Sequence, residues 1–197
     1  MSFLSYLING VSLGSIYAII ALGYTMVYGI AKMLNFAHGD VIMIGAFVVL
    51  NALNVMNLPV IPAILVAVVG CTVLGVVIER VAYRPLRNAS SPLAVLITAI
   101  GVSYLLQNIA LLIFGADTVS FPNRITLPAL SLADGNLVIS SVTIVTIVAC
   151  IVIMASLILF INKTKAGQAM LAVSEDKGAA QLMGINVDGT IALTFAI

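Results

Sequence analysis

The residues with the clearest potential for chemistry form a short polar segment, NFAHGD at positions 35–40, which holds the only histidine of the chain. No charged residue occurs in 1–31 or in 41–78. Ionisable groups are costly near hydrocarbon, so those that persist there usually serve a pathway, a gate or a partner. Asn35 offers an amide, His38 an imidazole and Asp40 a carboxylate, while Gly39 permits unusual backbone geometry. We call this segment the polar island and take it as the first candidate site.

Two interpretations of the polar island follow from spacing alone. A broken helix must line protein or water rather than lipid, and transporters use such breaks to contact polar solutes. Alternatively the island is a cytoplasmic turn, with Asp40 near the N-terminus of the second helix, where its charge suits the helix dipole. His38 alone is more typical of a hydrogen-bonded structural residue than of a ligand. The island is therefore either a polar break that shapes a translocation path or the turn at its cytoplasmic mouth.

Other kinds of chemistry find no support in the sequence. There is no GxxxxGK[ST] loop for nucleotide phosphates, and no nucleophile, base and acid recur at a readable spacing. A single histidine and two cysteines, Cys71 and Cys150, placed within apolar runs do not make a zinc site. The net charge of +1 supplies no basic stripe for nucleic acid. We therefore predict no metal, no cofactor in this chain and no nucleic-acid partner. An enzyme that works inside the membrane is left open, although no motif supports it.

The composition predicts an integral membrane protein. The chain has 197 residues, of which 62% are hydrophobic and 8% charged, against about 25% charged in an average soluble domain. We expect an all-α, polytopic transmembrane helix bundle that forms one domain over 1–197. Ser91 and Pro92 would begin the fourth span as N-cap and first helical residue. About five full spans and the start of a sixth are predicted, at 4–30, 41–51, 60–78, 93–115, 137–161 and 190–197.

Two of these segments are short for a bilayer, which needs about 20 apolar residues per helix. The second span is short unless it begins near Ala37, because asparagines and prolines interrupt 51–62. The apolar stretch at 190–197 has only eight residues. We therefore expect the sequence to be a fragment of a longer protein.

The basic residues predict the orientation. If five spans alternate, seven of the eight Lys and Arg residues fall in loops on one side, and only Arg124 falls on the other. Basic residues in short loops favour the cytoplasm, so the N-terminus and the 117–136 loop are expected to be external. That external loop, with Pro122 and Pro128, is long for a simple connection and could contact a partner or cap the bundle. The seven cytoplasmic residues are Lys32, Arg80, Arg84, Arg87, Lys163, Lys165 and Lys177.

The hydrophilic segment at 162–188 is the second candidate site, as a cytoplasmic coupling loop. A short capped helix parallel to the membrane, with small and apolar residues on its surface, suits docking of a cytosolic partner; the alternative is a solvated loop helix. A third polar stretch, ERVAYRPLR at 79–87, is read as a juxtamembrane patch that fixes orientation and touches anionic lipid. In the predicted coupling helix, Ser174 is the N-cap, Glu175 and Asp176 lie in the first turn, Ala179, Ala180 and Leu182 supply the surface, and Gly184 ends it.

Together these motifs resemble the branched-chain amino acid ABC transporter permeases of the LivH type. The resemblance rests on NFAHGD at 35–40 followed by MIGA at 43–46, on ERVAYRPLR at 79–87, and on LITAIGVS at 96–103 continuing to LQN at 106–108. The segment from GQAM at 167–170 to LMGIN at 182–186 resembles the ATPase-coupling loop of that family. The motifs follow the family's order and cover nearly the whole chain.

The resemblance implies a multi-pass permease subunit of a bacterial inner membrane, embedded in lipid, that has no catalytic residues of its own. It implies a second, LivM-like permease, two cytosolic ATP-binding subunits that hydrolyse ATP with Mg²⁺, and a periplasmic substrate-binding protein that delivers leucine, isoleucine or valine. The coupling segment departs from the pattern, with Gly178 where many ABC permeases carry an acid and Leu171 where an arginine is common. One alternative is a related ABC importer, since similar permeases transport urea and short amides. Another, from a different class, is a proton-coupled secondary carrier, although no acidic residue lies well within a predicted span.

Overall fold

The computed structural model describes residues 2–87, 92–121, 130–132 and 137–197. Within these residues the fold is helical, apart from one small antiparallel pair of strands in which Leu130 lies opposite Ile139. The strands are β1 (Leu130–Leu132) and β2 (Leu137–Ile139). The helices are α1 (Ser2–Ala31), α2 (His38–Asn54), α3 (Val60–Ile78), α4 (Pro92–Phe114), α5 (Ser141–Lys163), α6 (Lys165–Glu175), α7 (Lys177–Leu182) and α8 (Val187–Ala196).

Four helical segments among the described residues are long and apolar enough to cross a membrane, where the sequence predicted five full spans. The difference is α2, which has 17 residues and rises about 25 Å at 1.5 Å per residue, against about 30 Å of hydrocarbon. It runs from His38 to Asn54 rather than over the predicted 41–51, so of the two starts considered the one near Ala37 is observed. The ten-residue α8 is likewise short. The four long segments are Tyr6–Ala31, Val60–Leu86, Leu93–Phe114 and Ser141–Lys163.

The chain divides into two compact units. The first consists of Met1–Thr25 and Pro122–Gln168. Within it the buried thiol of Cys150 in α5 donates a hydrogen bond to the carbonyl of Ser15 in α1, at 3.3 Å. This contact explains Cys150 as a buried structural residue.

The second unit consists of Met26–Phe121 and Ala169–Ile197, and within it α3 contacts both α2 and α8. Gly75 allows α8 to approach α3 closely, since a Cβ atom at this position would lie 2.2 Å from the carbonyl oxygen of Phe195. Thr72 strengthens the same crossing by donating its hydroxyl to the carbonyl of Ala196 at 3.1 Å. On another side of α3, the Cys71 thiol donates to the carbonyl of Val41 in α2 at 3.7 Å.

The polar segment after α3 is not a plain loop. Residues Glu79–Tyr83 form a π-helical turn and Arg84–Leu86 a 3-10 turn, so the third span continues to Leu86. A π-turn widens the helix and redirects its side chains, which often occurs at functional positions. Here it sends Tyr83 into the core, where it lies fully buried beside Phe195 with ring centroids 5.4 Å apart.

Candidate functional site

The polar island links the end of α1 to the start of α2, and its first residue is fixed by the π-helical turn. After Ala31 the backbone turns at Lys32, whose φ of 58° lies in the left-handed region. Asn35 is buried, and its Oδ1 accepts a hydrogen bond of 2.9 Å from the hydroxyl of Tyr83. A buried amide needs such a partner to offset the loss of water. The island and the 79–87 motif therefore belong to one site.

The last residue of the island is fixed by α4. Asp40 is buried in the first turn of α2, and its carboxylate accepts hydrogen bonds from the Ser103 hydroxyl and from Nε2 of Gln107, the latter at 3.0 Å. Ser103 and Gln107 lie one turn apart, and Gln107 also donates to Ser103 at 3.1 Å. The N-terminus of α2 adds a favourable dipole to the carboxylate, as predicted. The LITAIGVS–LQN motif is thus the third part of this site.

The contacts of α2 give the island a position along the neighbouring spans. Ser103 is the twelfth residue of the 23-residue α4, which places Asp40 about 16 Å along that helix from its first residue. The carbonyl of Val41, the next residue, lies against Cys71, the twelfth of the 19 residues of α3. Both neighbours therefore place the start of α2 beside the interior of a span rather than beside its end.

The two central residues of the island have less distinctive positions. His38 is half-buried at the first position of α2, while Gly39 is exposed with open space around its α-carbon. Gly39 does not have a positive φ, so the unusual backbone geometry that a glycine permits is not adopted here. The described part of the chain contains no group of three His, Cys, Asp or Glu residues that could hold a metal ion.

A cluster of charged residues joins the π-helical turn to α8. Arg87 binds both Glu79, whose side chain is 1% exposed, and Asp188 in the first turn of α8. Arg84 binds the same Asp188 at 3.2 Å. Two arginines and two carboxylates therefore balance each other, and they tie the end of the third span to the segment that follows α7.

The coupling segment folds into α6 and α7, and its cap differs from the prediction. Asp176 caps α7, since its Oδ1 accepts hydrogen bonds from the backbone N–H groups of Gly178 at 2.7 Å and Ala179 at 3.0 Å. Ser174, the predicted cap, is still helical in α6 and donates to the carbonyl of Leu171 at 2.7 Å. Glu175 is the last residue of α6, so neither Ser174 nor Glu175 lies in α7. Because α6 continues through Ser174, the carboxylate of Asp176, two residues later, caps α7 instead.

The end of α7 follows the prediction. Gly184 has a φ of 85°, the left-handed conformation that favours glycine after a helix. Its N–H donates to the carbonyl of Gln181, and the N–H of Ile185 donates to the carbonyl of Ala180, both at 3.0 Å. Ala180 is buried, and Ala179 is exposed.

The exposed tip of the coupling segment is apolar. Leu182 is 90% exposed and Met183 82% exposed, at the end of α7. At the other end of this helix, the ammonium group of Lys177 donates a hydrogen bond of 2.8 Å to the carbonyl of Ala31, the last residue of α1. Burial, together with Arg87 and Lys32, lowers the pKa of Lys177. The coupling segment is therefore anchored to the end of α1, which three residues separate from the start of the polar island.

Several residues of this site were not predicted as site residues. Those in the motifs at 79–87 and 96–108 could have been predicted, because the family resemblance already rests on these two motifs. Lys177 and Asp188 had no such signal beyond being charged residues close to apolar segments. The unpredicted residues are Glu79, Tyr83, Arg84, Arg87, Ser103, Gln107, Lys177, Met183 and Asp188.

Other predictions lie partly or wholly outside the described residues. Ser91, predicted to cap the fourth helix, is one of them, and α4 is described from Pro92 onward. Of the predicted external loop at 117–136, 117–121 and β1 are described, whereas Pro122, Arg124 and Pro128 are not. The fifth span was predicted to begin at 137, but β2 occupies Leu137–Ile139 and α5 begins at Ser141.

Comparison with known proteins gives consistent matches. Residues 6–197 match the family model described as branched-chain amino acid transport system / permease component. The chain is 44% identical to the high-affinity branched-chain amino acid transport system permease protein LivH of Escherichia coli and 41% identical to BraD of Pseudomonas aeruginosa, each over 99% of this chain. LivH of Salmonella typhimurium is 42% identical over the same share. The chain spans 66% of the length of each of these relatives, and no solved structure matches it.

Proposed function

This chain belongs to the permease family of branched-chain amino acid transport systems, and we propose that it forms part of the translocation path of an ATP-driven importer. The proposed solutes are leucine, isoleucine and valine, in keeping with the names of the relatives as branched-chain amino acid transport permeases. As a member of a permease family, the chain is a transport component rather than an enzyme. ATP–Mg²⁺ would be bound and hydrolysed by two separate cytosolic subunits.

The proposed assembly contains a second, LivM-like permease, a periplasmic substrate-binding protein and the lipids of a bacterial inner membrane. The proposed topology has an external N-terminus, α2 as a short span that makes five in all, and α8 as the start of a sixth. The distribution of basic residues supports this orientation, because those near the ends of α1, the third span and α5 share one side when five spans alternate, and basic residues in short loops favour the cytoplasm.

The proposed path passes the polar island, which we place within the membrane rather than at its cytoplasmic face. Its contacts with the interior of α3 and α4 support this position. Asn35, His38, Gly39 and Asp40 would form the polar break, with α2 as a helix that starts inside the bilayer. Transporters use helix ends of this type near the bilayer centre, since backbone and polar side chains there can contact a polar solute.

The observation that carries the proposal is the hydrogen bond from Lys177 to the carbonyl of Ala31. It connects α7, whose exposed Leu182 and Met183 suit an apolar pocket on an ATPase, to the last residue of α1, four positions before the island. Asp176, Ala179, Ala180 and Gly184 would shape this coupling helix, and Ser174 and Glu175 would support it from the end of α6. Motion of a docked ATPase would then reach the island through Lys177.

Two substitutions in the full-length permease, assembled with its partner subunits, separate docking from transmission. Leu182→Asp places a charge on the docking surface, so the ATPase subunits should no longer co-purify with the permease. Lys177→Met removes the ammonium donor and keeps an apolar stem, so the complex should assemble and hydrolyse ATP while uptake falls at least tenfold. The control is Gln168→Asp, which puts the same charge at an exposed position of α6 and should behave as the wild type. Normal co-purification with Leu182→Asp, or normal uptake with Lys177→Met, would contradict the proposal.

A further inference from the structure

A cleft of about 440 Å³ opens where the described ends of several helices meet in the second unit. It is lined by the last turn of α1 and the residues after it, by Leu86 and Arg87 after the π-helical turn, by the start of α4, and by Lys177. The spans run to Ala31 and Leu86 and begin again at Leu93. The cleft therefore lies at the level where hydrocarbon gives way to lipid headgroups.

One side of the cleft is basic, with Lys32, Arg87 and Lys177 in its lining. Arg87 is already paired, because it shares Glu79 and Asp188 with Arg84, and those four charges cancel. Among the ion pairs of the described residues, none involves Lys32 or Lys177. Two positive charges are therefore left over at the cleft, which favours an anion.

These two lysines also affect each other. Lys177 is half-buried, and burial, Arg87 and Lys32, in this order, lower its pKa. Positive charges in proximity repel one another. Binding of an anion between the two lysines is therefore favoured both by its attraction to each charge and by the relief of their mutual repulsion.

The other side of the cleft is apolar. Leu34, Leu93 and Leu96 line it, and Leu93 is 64% exposed at the start of the fourth span. A small soluble anion would leave this wall uncovered, whereas an acyl chain would cover it. A ligand that matches both sides carries a phosphate head and a hydrocarbon tail.

We propose that this cleft binds the headgroup and upper acyl chain of an anionic phospholipid, such as phosphatidylglycerol, from the leaflet on the coupling side. The phosphate would lie between Lys32 and Lys177, and the acyl chain would run along Leu34, Leu93 and Leu96. Basic pockets between transmembrane helices are known to select anionic lipids in this way. The proposal concerns lipid binding and stands independently of the solute that is transported.

The test uses the full-length permease within its complete transporter. The complex is stripped of lipid in detergent and reconstituted in nanodiscs of phosphatidylcholine with a minor share of phosphatidylglycerol. After extraction, mass spectrometry counts the lipid that stays bound. The variants are Lys32→Asn alone and together with Lys177→Gln. Asparagine accepts a positive φ readily, so Lys32→Asn removes a charge without straining the backbone.

The wild type should retain phosphatidylglycerol over phosphatidylcholine. A basic residue near an anionic surface contributes about 1 kcal/mol, which corresponds to roughly fivefold in affinity. Lys32→Asn should therefore weaken retention about fivefold and the double variant about 30-fold. The control, Lys163→Gln with Lys165→Gln, removes the same charge from exposed positions outside the cleft and should retain phosphatidylglycerol as the wild type does.

Three results would overturn the proposal. The first is equal retention of both lipids by the wild type. The second is an equal loss of phosphatidylglycerol retention in the control and in the Lys32/Lys177 double variant, which would indicate binding to diffuse surface charge. The third comes from inorganic phosphate added to nanodiscs of phosphatidylcholine alone. If phosphate raises the melting temperature as much as phosphatidylglycerol does, and Lys32→Asn abolishes that effect, the cleft binds a phosphate ion rather than a lipid.

Discussion

Replacing Asp40 tests whether the polar island is held by its carboxylate. Asp40→Ala removes the acceptor for Ser103 and Gln107 and leaves two donors without it. Hydrogen bonds to a charged group contribute about 1.5–3 kcal/mol each, so two amount to about 3–6 kcal/mol. Part of this is offset because the variant no longer buries a carboxylate. We expect a net loss of about 3 kcal/mol for Asp40→Ala and about 1 kcal/mol for Asp40→Asn, whose amide oxygen still accepts one bond.

The measurement is thermal unfolding of the full-length permease in detergent. This chain contains no Trp, but Cys150 is buried and Cys71 half-buried, so a thiol-reactive fluorophore reports their exposure. Melting temperatures should fall in the order wild type, Asp40→Asn, Asp40→Ala, while Asp117→Ala, at an exposed position, should match the wild type. A double-mutant cycle with Ser103→Ala should give a coupling energy of about 1–2 kcal/mol. Equal melting of Asp40→Ala and wild type, or a coupling energy near zero, would refute the reasoning.

Two further predictions concern close contacts in the second unit. Gly75→Ala places a methyl group 2.2 Å from the carbonyl oxygen of Phe195, so α8 must move away by about 1 Å, at a cost of about 1–3 kcal/mol. Thermal unfolding checks this, and Gly70→Ala, on the same helix with open space around it, should not lower the melting temperature. Lys32→Asn should raise the pKa of Lys177, because the charge of Lys32 helps to lower it. Lys177 would then keep its proton to higher pH, as an NMR titration of isotopically methylated lysines can show, and an unchanged pKa would contradict the assigned cause.

The sequence identified the parts of the site but not how they meet. Each motif was visible because polar residues stand out against apolar runs. The pairing of Asn35 with Tyr83 joins residues 48 positions apart, and that of Asp40 with Gln107 joins residues 67 apart. Hydrophobic periodicity describes single helices and carries no information on which helix lies beside which. Such pairs could be expected only from the rule that buried polar groups need partners, and that rule does not say which partner.

The errors at the helix ends have a similar local cause. Ser174 and Asp176 are both good N-caps, and the choice between them depends on where α6 stops. α6 continues through Ser174, whose hydroxyl donates to the carbonyl of Leu171 and so does not cap α7. The stop at Gly184 was predictable because a glycine after a short helix has few other uses. The short second span was predictable from the asparagines and prolines in 51–62. A turn does occur there, and in it Asn57 has a φ of 49°.

The spacing between Lys177 and the polar island limits how the proposed coupling could work. Only three residues, 32–34, separate Ala31 from Asn35, and even fully extended this link spans about 13 Å. One end is bound by Lys177 and the other by Tyr83, itself fully buried. A link this short cannot absorb a large displacement of α7. Motion of α7 must therefore either break the bond to Ala31 or pull on Asn35, and the Lys177→Met variant, which starts with that bond broken, distinguishes a transmitting link from a passive one.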